Sequence, residues 1–269
     1  MPVRNPGPRV FGTVSGMTSR STALGVLTVS LAAALMAACS AAPAGAPSPA
    51  GAPAKDQAAA CAAQVSLDST IPPGLDPESP APSAGEMQAW ASSVEPLFTV
   101  VRENAPDTLT GALQTYSAQL DQAKKGQRID ATSTEGTAAS NAMNEWVYDS
   151  CGFQTLDAVN DGGTVGPIAP TMKPGPLAIR FTNSGDPAKA GFVLLLARVK
   201  DGQNVTPADI DSGQAAIEQV TDVAAGALST GTGPAYSVAV LRPGSYLVST
   251  VLGTPSQFSG TVTKAFTVS

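Results

Sequence analysis

The hydrophobic periodicity of the chain changes once, near residue 160, and this change constrains the fold more than any other feature. Before it, apolar residues recur every three or four positions in three stretches, at about 85–104, 109–124 and 133–149, as on one face of an α-helix. After it, they alternate with polar residues or form short apolar runs, as in β-strands. The sequence therefore predicts an α+β protein, with about three helices followed by a small antiparallel β-sandwich.

The helical half carries its own boundary signals. Ser83 and Glu86 have the spacing of a capping box before the first stretch, and Pro96 should kink that helix or divide it in two. The stripes contain four aromatic side chains that either form a core or line a ligand pocket, namely Trp90, Phe98, Tyr116 and Trp146. Because these rings share their faces with aliphatic residues, the core interpretation is favoured.

The second half opens with a proline-rich linker at about 161–176. Residues 177–182 then alternate apolar and polar side chains, and residues 192–199 (FVLLLARV) form the nearly continuous apolar run of a central strand. Thr206 and Pro207 can start a helical excursion. Further strands are predicted at about 236–240, 245–252 and 258–268.

An uncharged, mostly apolar run at 22–36 follows Arg20 and ends just before Cys39. It is shorter than the roughly 20 residues of a membrane span but has the layout of a signal peptide. Residues 35–39 (LMAAC) resemble the bacterial lipobox. That resemblance implies cleavage after residue 38, a diacylglycerol and a palmitate on Cys39, and a protein held at the extracytoplasmic face of the cell membrane. Cleavage at an Ala-x-Ala site and an uncleaved anchor are the alternatives, and translation starts at either Met1 or Met17.

Four segments follow from these boundaries. The signal peptide spans 1–38, and an Ala/Pro/Gly-rich spacer at 39–60 has too few large apolar residues to build a core. The helical domain is placed at 61–160 and the sandwich domain at 161–269.

The two remaining cysteines, Cys61 and Cys151, are predicted to form a disulfide, because an even number of cysteines in an exported protein is normally paired. Closing a loop of about 90 residues would contribute roughly 4 to 5 kcal/mol on the chain-entropy model. Two free thiols or a thiol nucleophile are the alternatives. The chain has no histidine to activate such a nucleophile, so a structural disulfide is favoured.

Three motifs of the second half resemble the cupredoxin-like (plastocyanin-type) domain. They are F-x-N-x-G at 181–185, L-x-P-G-x-Y at 241–246 and a closing F-x-V at 266–268. The family's copper is bound by two histidines, a cysteine and a weak methionine. The corresponding positions lie near Ala190 and Gly191, near Ser249, and within 253–260, and none holds such a ligand. The resemblance therefore implies a sandwich without copper, and no metal or other cofactor is predicted.

Composition excludes several functions. Without histidine, Ser-His-Asp and Cys-His catalysis and histidine-based metal sites are not available, so no catalytic residue is assigned and the protein is not predicted to be an enzyme. The net charge is −6, and without a basic stripe this argues against nucleic-acid binding. Asp201, Asp209 and Asp211 could bind calcium but lack its loop spacing, so a solvated loop is favoured.

We therefore predict a non-catalytic, lipid-anchored protein of the cell envelope that binds another envelope component. The alternative is a carrier of a small ligand or metal, accessory to a transporter.

Overall fold

The computed structural model describes residues 55–74, 80–184, 193–229, 233–254 and 257–269. The predicted signal peptide, its Cys39, and spacer residues 39–54 lie outside the described residues. Within those residues, no helix combines the length and the apolar character needed to cross a bilayer.

Among the described residues, four helices precede the first strand, rather than the three predicted. They are α1 (Gln57–Asp68), α2 (Ala84–Asn104), α3 (Thr110–Lys124) and α4 (Thr134–Ser150), with a 3-10 turn at Asp107–Leu109 before α3. The capping box is confirmed, since Ser83 and Glu86 bond each other's backbone N–H groups. Pro96 does not divide α2, which continues through it as one helix.

Helix α1 corrects the predicted spacer, because residues 57–60 are helical and Ala60 is fully buried. The side chain of Asp56 caps the helix by accepting a hydrogen bond from the Ala59 N–H at 3.0 Å. Asp56 also donates its own N–H to Asn104 at 2.8 Å. The prolines of the spacer end at Pro53, and the alanine-rich stretch that follows has high helix propensity.

The predicted disulfide is confirmed. Cys61 of α1 and Cys151, which caps the C-terminus of α4, are bonded with their Cα atoms 5.8 Å apart. The aromatic stripe is core, because Trp90, Phe98 and Trp146 are all buried in the helical cluster. Tyr116 packs against that cluster, with its ring stacked on Phe98 at 4.9 Å.

Within the part of the chain that the structure describes, nine strands form two sheets. The strands are β1 (Gln154–Asn160), β2 (Val165–Gly166), β3 (Thr171–Met172), β4 (Gly175–Asn183), β5 (Val193–Val199), β6 (Thr221–Leu228), β7 (Ala235–Leu241), β8 (Gly244–Thr254) and β9 (Gln257–Val268). The first sheet has the order β2-β1-β4-β7 and the second β3-β9-β8-β5-β6. Two short helices, α5 (Pro207–Asp211) and α6 (Ile217–Val220), lie between β5 and β6.

The prediction of an antiparallel arrangement was wrong, because both sheets are mixed. β1 is parallel to β4, and β3 is parallel to β9. The segment predicted as a linker contains β2, which pairs in the first sheet, and β3, which pairs in the second. The chain thus contributes β3 to the second sheet before it forms β4 of the first sheet. Prolines, which cannot donate to a ladder, accompany such short pairings, and alternation reports side-chain faces but not strand direction.

The two sheets face each other across one core. Leu156, Ile179 and Phe181 of the first sheet and Leu196 and Val248 of the second belong to the same buried cluster. The opposite face of the first sheet is covered in part by the helices, because Ala178 of β4 and Val238 of β7 join the helical cluster. Helical layer and sheets therefore form a continuous body.

Candidate interaction surface

A row of polar and aromatic side chains crosses the helix-bearing face of the first sheet. Asp157 of β1 is in register with Arg180 of β4, and Arg180 is in register with Tyr236 of β7. Tyr148, near the end of α4, reaches this row from the helical layer. We call these four residues, together with Glu145 and Asp149 of α4, the tyrosine surface.

Direct contacts hold the row together. The Arg180 guanidinium donates to the Asp157 carboxylate at 2.7 Å, and the Tyr148 hydroxyl donates to the same oxygen at 2.8 Å. The Arg180 Cζ atom also lies 5.1 Å from the centre of the Tyr148 ring, within cation–π distance. Because the Arg180 and Asp157 side chains are 44% and 42% exposed, this ion pair contributes only about 0 to 1 kcal/mol to folding.

Tyr236 lies at the acidic end of the row. Its ring meets that of Tyr148 edge to face, with centroids 5.5 Å apart. Partial burial, followed by the nearby carboxylates of Glu145 and Asp149, raises the pKa of the Tyr236 hydroxyl. Partial burial and the hydrogen bond to Asp157 likewise raise the pKa of the Tyr148 hydroxyl. Both rings therefore keep their protons at neutral pH and act as neutral aromatic groups.

An open groove of about 300 Å³ lies beside Tyr236, between α4 and the start of β7. Its lining residues are Thr137, Ala138, Asn141, Ala142, Glu145, Leu228, Gly233 and Pro234. Asn141 fixes the wall, since its amide donates to the Pro234 carbonyl at 3.3 Å and its oxygen accepts the Tyr236 N–H at 2.6 Å. These two bonds tie α4 to the start of β7, so hydrogen bonds hold together the two segments that line the groove.

The side chains at and beside Ser249 in β8 do not suit a copper ion. Ser249 faces away from the shared core and lies within 3.0 Å of the Thr263 hydroxyl. The side chain that reaches the other sheet is Thr250, whose hydroxyl accepts a bond from Asn160 at 3.2 Å and donates to the Val193 carbonyl at 2.9 Å. Neutral amide and hydroxyl oxygens are not the imidazole and thiolate ligands of a blue-copper centre.

A second polar cluster is buried between α1, α4 and β7. Asn144 donates to the Asp68 carboxylate at 3.2 Å, and Gln64 donates to Asn144 at 3.1 Å. Burial raises the pKa of Asp68, although hydrogen bonds from Asn144, Val238 and Ser237 oppose the shift. The cluster joins helices to sheet, with Gln64 and Asn144 buried and Asp68 partly buried, so we interpret it as structural.

The three aspartates considered for calcium have separate partners. Asp201 pairs with Arg198, Asp209 caps α5 through Thr206, and Asp211 accepts a bond from the backbone of Thr263. Across the described ranges, no group of three or more histidine, cysteine, aspartate or glutamate side chains is placed to hold a metal ion.

The tyrosine surface was not predicted from the sequence. Tyr148 was placed in a helix, Arg180 on a strand and Tyr236 in an alternating run, but nothing in their local patterns brings them together. The β1 strand that carries Asp157 was also missed, because it follows α4 after only a short turn. Comparison of the chain with models of known protein families and with curated proteins finds no match.

Proposed function

We propose that this chain is a non-catalytic, lipid-anchored protein of the bacterial cell envelope that binds another envelope protein through the tyrosine surface. The anchor is supported by the lipobox-like residues 35–39 and by the signal-peptide layout before them. A diacylglycerol supplies two acyl chains, and two chains hold a protein stably where one does so only marginally.

The observation that carries the binding role is the partly exposed Tyr148–Arg180–Asp157–Tyr236 row, whose members are held together by direct contacts. Tyrosine and arginine are enriched among residues that dominate binding energy at protein interfaces. The half-exposed ion pair between Arg180 and Asp157 contributes little to folding. Among the described residues, the large exposed aliphatic side chains are only Ile71, Val223 and Val240, so the tyrosine surface is a better candidate than an apolar patch.

We also propose that the sandwich is cupredoxin-like but has lost copper. Three placements support this. Phe181 and Asn183 lie at the end of β4, the L-x-P-G-x-Y motif forms the β7–β8 turn, and the F-x-V motif ends β9. Within the turn, the Tyr246 hydroxyl accepts the Arg242 N–H at 2.9 Å, as in the tyrosine corner of other β-sandwiches. Gly244 has a φ of +143°, and a Cβ there would lie 3.0 Å from the Arg198 side chain.

Site-specific photo-crosslinking in the cells that make the protein tests the binding role. A photoreactive residue replaces Thr155, which is exposed two positions from Asp157 on β1, or Thr267, which is exposed on the second sheet. We expect a discrete crosslinked protein from position 155 and not from position 267. Adding Tyr148→Ala and Tyr236→Ala should abolish it. A product that persists in this double variant, or no product at position 155, would refute the proposal.

A small-ligand carrier is the second candidate, and the groove beside Tyr236 favours it. A volume of about 300 Å³ is at the lower end of small-molecule sites. Native mass spectrometry of the full chain, purified from membranes in detergent, would then show a bound small molecule. Ala138→Trp should fill the groove, so that the small molecule no longer binds. A mass that corresponds to the protein alone in all samples would exclude the carrier role.

A further inference from the structure

Two carboxylates of the tyrosine surface have no cationic partner. Glu145 and Asp149 are exposed on successive turns of α4, and among the described residues neither forms an ion pair. Like charges four positions apart on a helix destabilise it by a few tenths of a kcal/mol, roughly. A cation bound between them would remove this repulsion.

Arg180 does not supply that cation. Its guanidinium is bonded to Asp157 at 2.7 Å and lies over the Tyr148 ring. The positive charge of Arg180 is therefore already paired with a carboxylate and an aromatic ring. The tyrosine surface thus carries three carboxylates and one guanidinium. Its remaining charge is negative and is concentrated on the α4 side, next to Tyr236.

The Tyr236 ring adds an aromatic component to this negative site. A cation above a tyrosine ring is attracted by its π-electrons, and a flanking carboxylate strengthens the site. The contact between Arg180 and Tyr148, at 5.1 Å, shows the same combination of guanidinium, ring and carboxylate within one protein. Tyr236, Glu145 and Asp149 repeat the ring and the carboxylates without the cation.

The groove beside Tyr236 can accommodate the aliphatic stem of a lysine or arginine side chain. Ala138, Ala142, Leu228 and Pro234 provide apolar lining, and Glu145 lies among the lining residues. Lysine and arginine have aliphatic stems that pack on apolar surface while the charged end reaches polar groups. The groove can therefore hold the stem while the carboxylates hold the charge.

Building on the proposed function, we infer that the tyrosine surface binds a lysine- or arginine-bearing segment of its protein partner, with the cationic group held by the Tyr236 ring and the carboxylates of Glu145 and Asp149. The net charge of the chain, −6, would also steer a basic partner toward it. Charge complementarity thus defines the partner as a basic protein segment and excludes an acidic one.

Titration of the full chain in detergent with a short arginine peptide tests this, with the citrulline peptide as the uncharged isostere. We expect calorimetric binding of the arginine peptide and none of the citrulline peptide. Affinity should fall at least tenfold between about 0.05 M and 0.5 M salt, because the exposed charges are then screened. Equal binding of both peptides, or no binding of either, would overturn the inference.

Matched variants locate the site. Glu145→Gln with Asp149→Asn should weaken arginine-peptide binding at least tenfold. Glu218→Gln with Asp222→Asn removes two exposed carboxylates of the same spacing elsewhere. This control should change the affinity for the arginine peptide less than twofold. Tyr236→Phe should retain binding, and Tyr236→Leu should lose it. A similar loss in both double variants would mean that overall charge, rather than this site, attracts the peptide.

The crosslinking experiment separates this inference from the function on which it rests. If the product at position 155 requires the two tyrosines but persists in Glu145→Gln with Asp149→Asn, the surface binds a partner that is not cationic there. The inference then fails and the proposed function stands. If no tyrosine-dependent product forms, the proposed function itself fails.

Discussion

The side-chain amide of Asn160 donates a hydrogen bond of 3.2 Å to the hydroxyl of Thr250, across the core between the two sheets. Both residues are at most 1% exposed. The side-chain Oδ1 of Asn160 accepts the Gly162 N–H at 2.9 Å, and the Thr250 hydroxyl donates to the Val193 carbonyl. A neutral, bonded network therefore links β1, β5 and β8 close to the position where the resemblance to cupredoxins would place a metal ligand.

Asn160→Ala should lower the free energy of unfolding by about 2 kcal/mol, because it leaves the Gly162 N–H without its bond and removes the link to Thr250. In a urea-denaturation cycle with Thr250→Val, the two changes should be coupled by roughly 0.5 to 1.5 kcal/mol. Asn160→Ala combined with exposed Ser92→Ala should be additive. Additivity with Thr250→Val as well would show that the contact has no energetic role.

The disulfide between Cys61 and Cys151 should be a major source of stability. It closes a loop with a sequence separation of 90 residues, and replacing both cysteines by serine should cost about 4 to 5 kcal/mol on the chain-entropy model. Guanidinium denaturation measures the loss, and reduced wild-type protein should match the variant. Cys39→Ser should leave the midpoint unchanged, since that residue is not part of the bridge.

Asp68 should make stability fall as pH rises. Burial raises its pKa in the folded state, so the folded protein binds this proton more tightly than the unfolded chain does. The associated stability is complete below the ordinary value of 3.8 and is lost as pH rises through the folded pKa. Asp68→Asn cannot ionise, so its unfolding free energy relative to wild type should increase over that range.

Chemical denaturation at a series of pH values checks the Asp68 prediction. Tyr116, whose own pKa is raised first by burial and then by the Asp68 charge, stays neutral throughout the acidic range. Asp121→Asn, at an exposed position of α3 outside this cluster, serves as the control. A difference between Asp68→Asn and wild type that does not vary with pH would contradict the expected shift.

Cys39→Ser should release the protein from the membrane into the medium, because no thiol remains to carry the diacylglycerol. Cell fractionation measures the release, and mass spectrometry of the wild type should show a lipid-modified N-terminal Cys39. The double variant Cys61→Ser with Cys151→Ser keeps the anchor and should remain in the membrane fraction. Equal retention of Cys39→Ser would count against lipidation.

Copper should not bind tightly between the two sheets, because the chain has no histidine and Asn160 and Thr250 offer only amide and hydroxyl groups there. Titration of the full chain with Cu²⁺ should give no intense visible absorption of a copper–thiolate bond. Such a band would show that the copper-free assignment is wrong.

Local patterns predicted much of the secondary structure. The capping box at Ser83 and Glu86 correctly marked the start of α2, and the apolar run at 192–199 indicated a strand that does lie between two others. Pairing Cys61 with Cys151 needed only a count of cysteines and an assumption of export. Each of these inferences depends on residues close in sequence or on composition, and such information is present in the chain itself.

Helix α1 and the relative direction of the strands were not predicted from such local patterns. Residues 57–60 were grouped with the spacer because its prolines and glycines break helices and its side chains are too small to build a core, and only packing against the other helices shows that Ala60 is buried. Alternation in β1 and β4 cannot reveal that they run parallel, since the side-chain period is the same in either direction.

The sequence by itself indicated the helical and strand-forming halves and the disulfide, and its lack of histidine excludes imidazole chemistry. Only the tertiary structure decided that Tyr148, Asp157, Arg180 and Tyr236 form one surface. Strand register aligns three of them, and the packing of α4 on β7 adds the fourth. Register and packing depend on contacts between residues far apart in the chain, whose individual patterns do not specify one another.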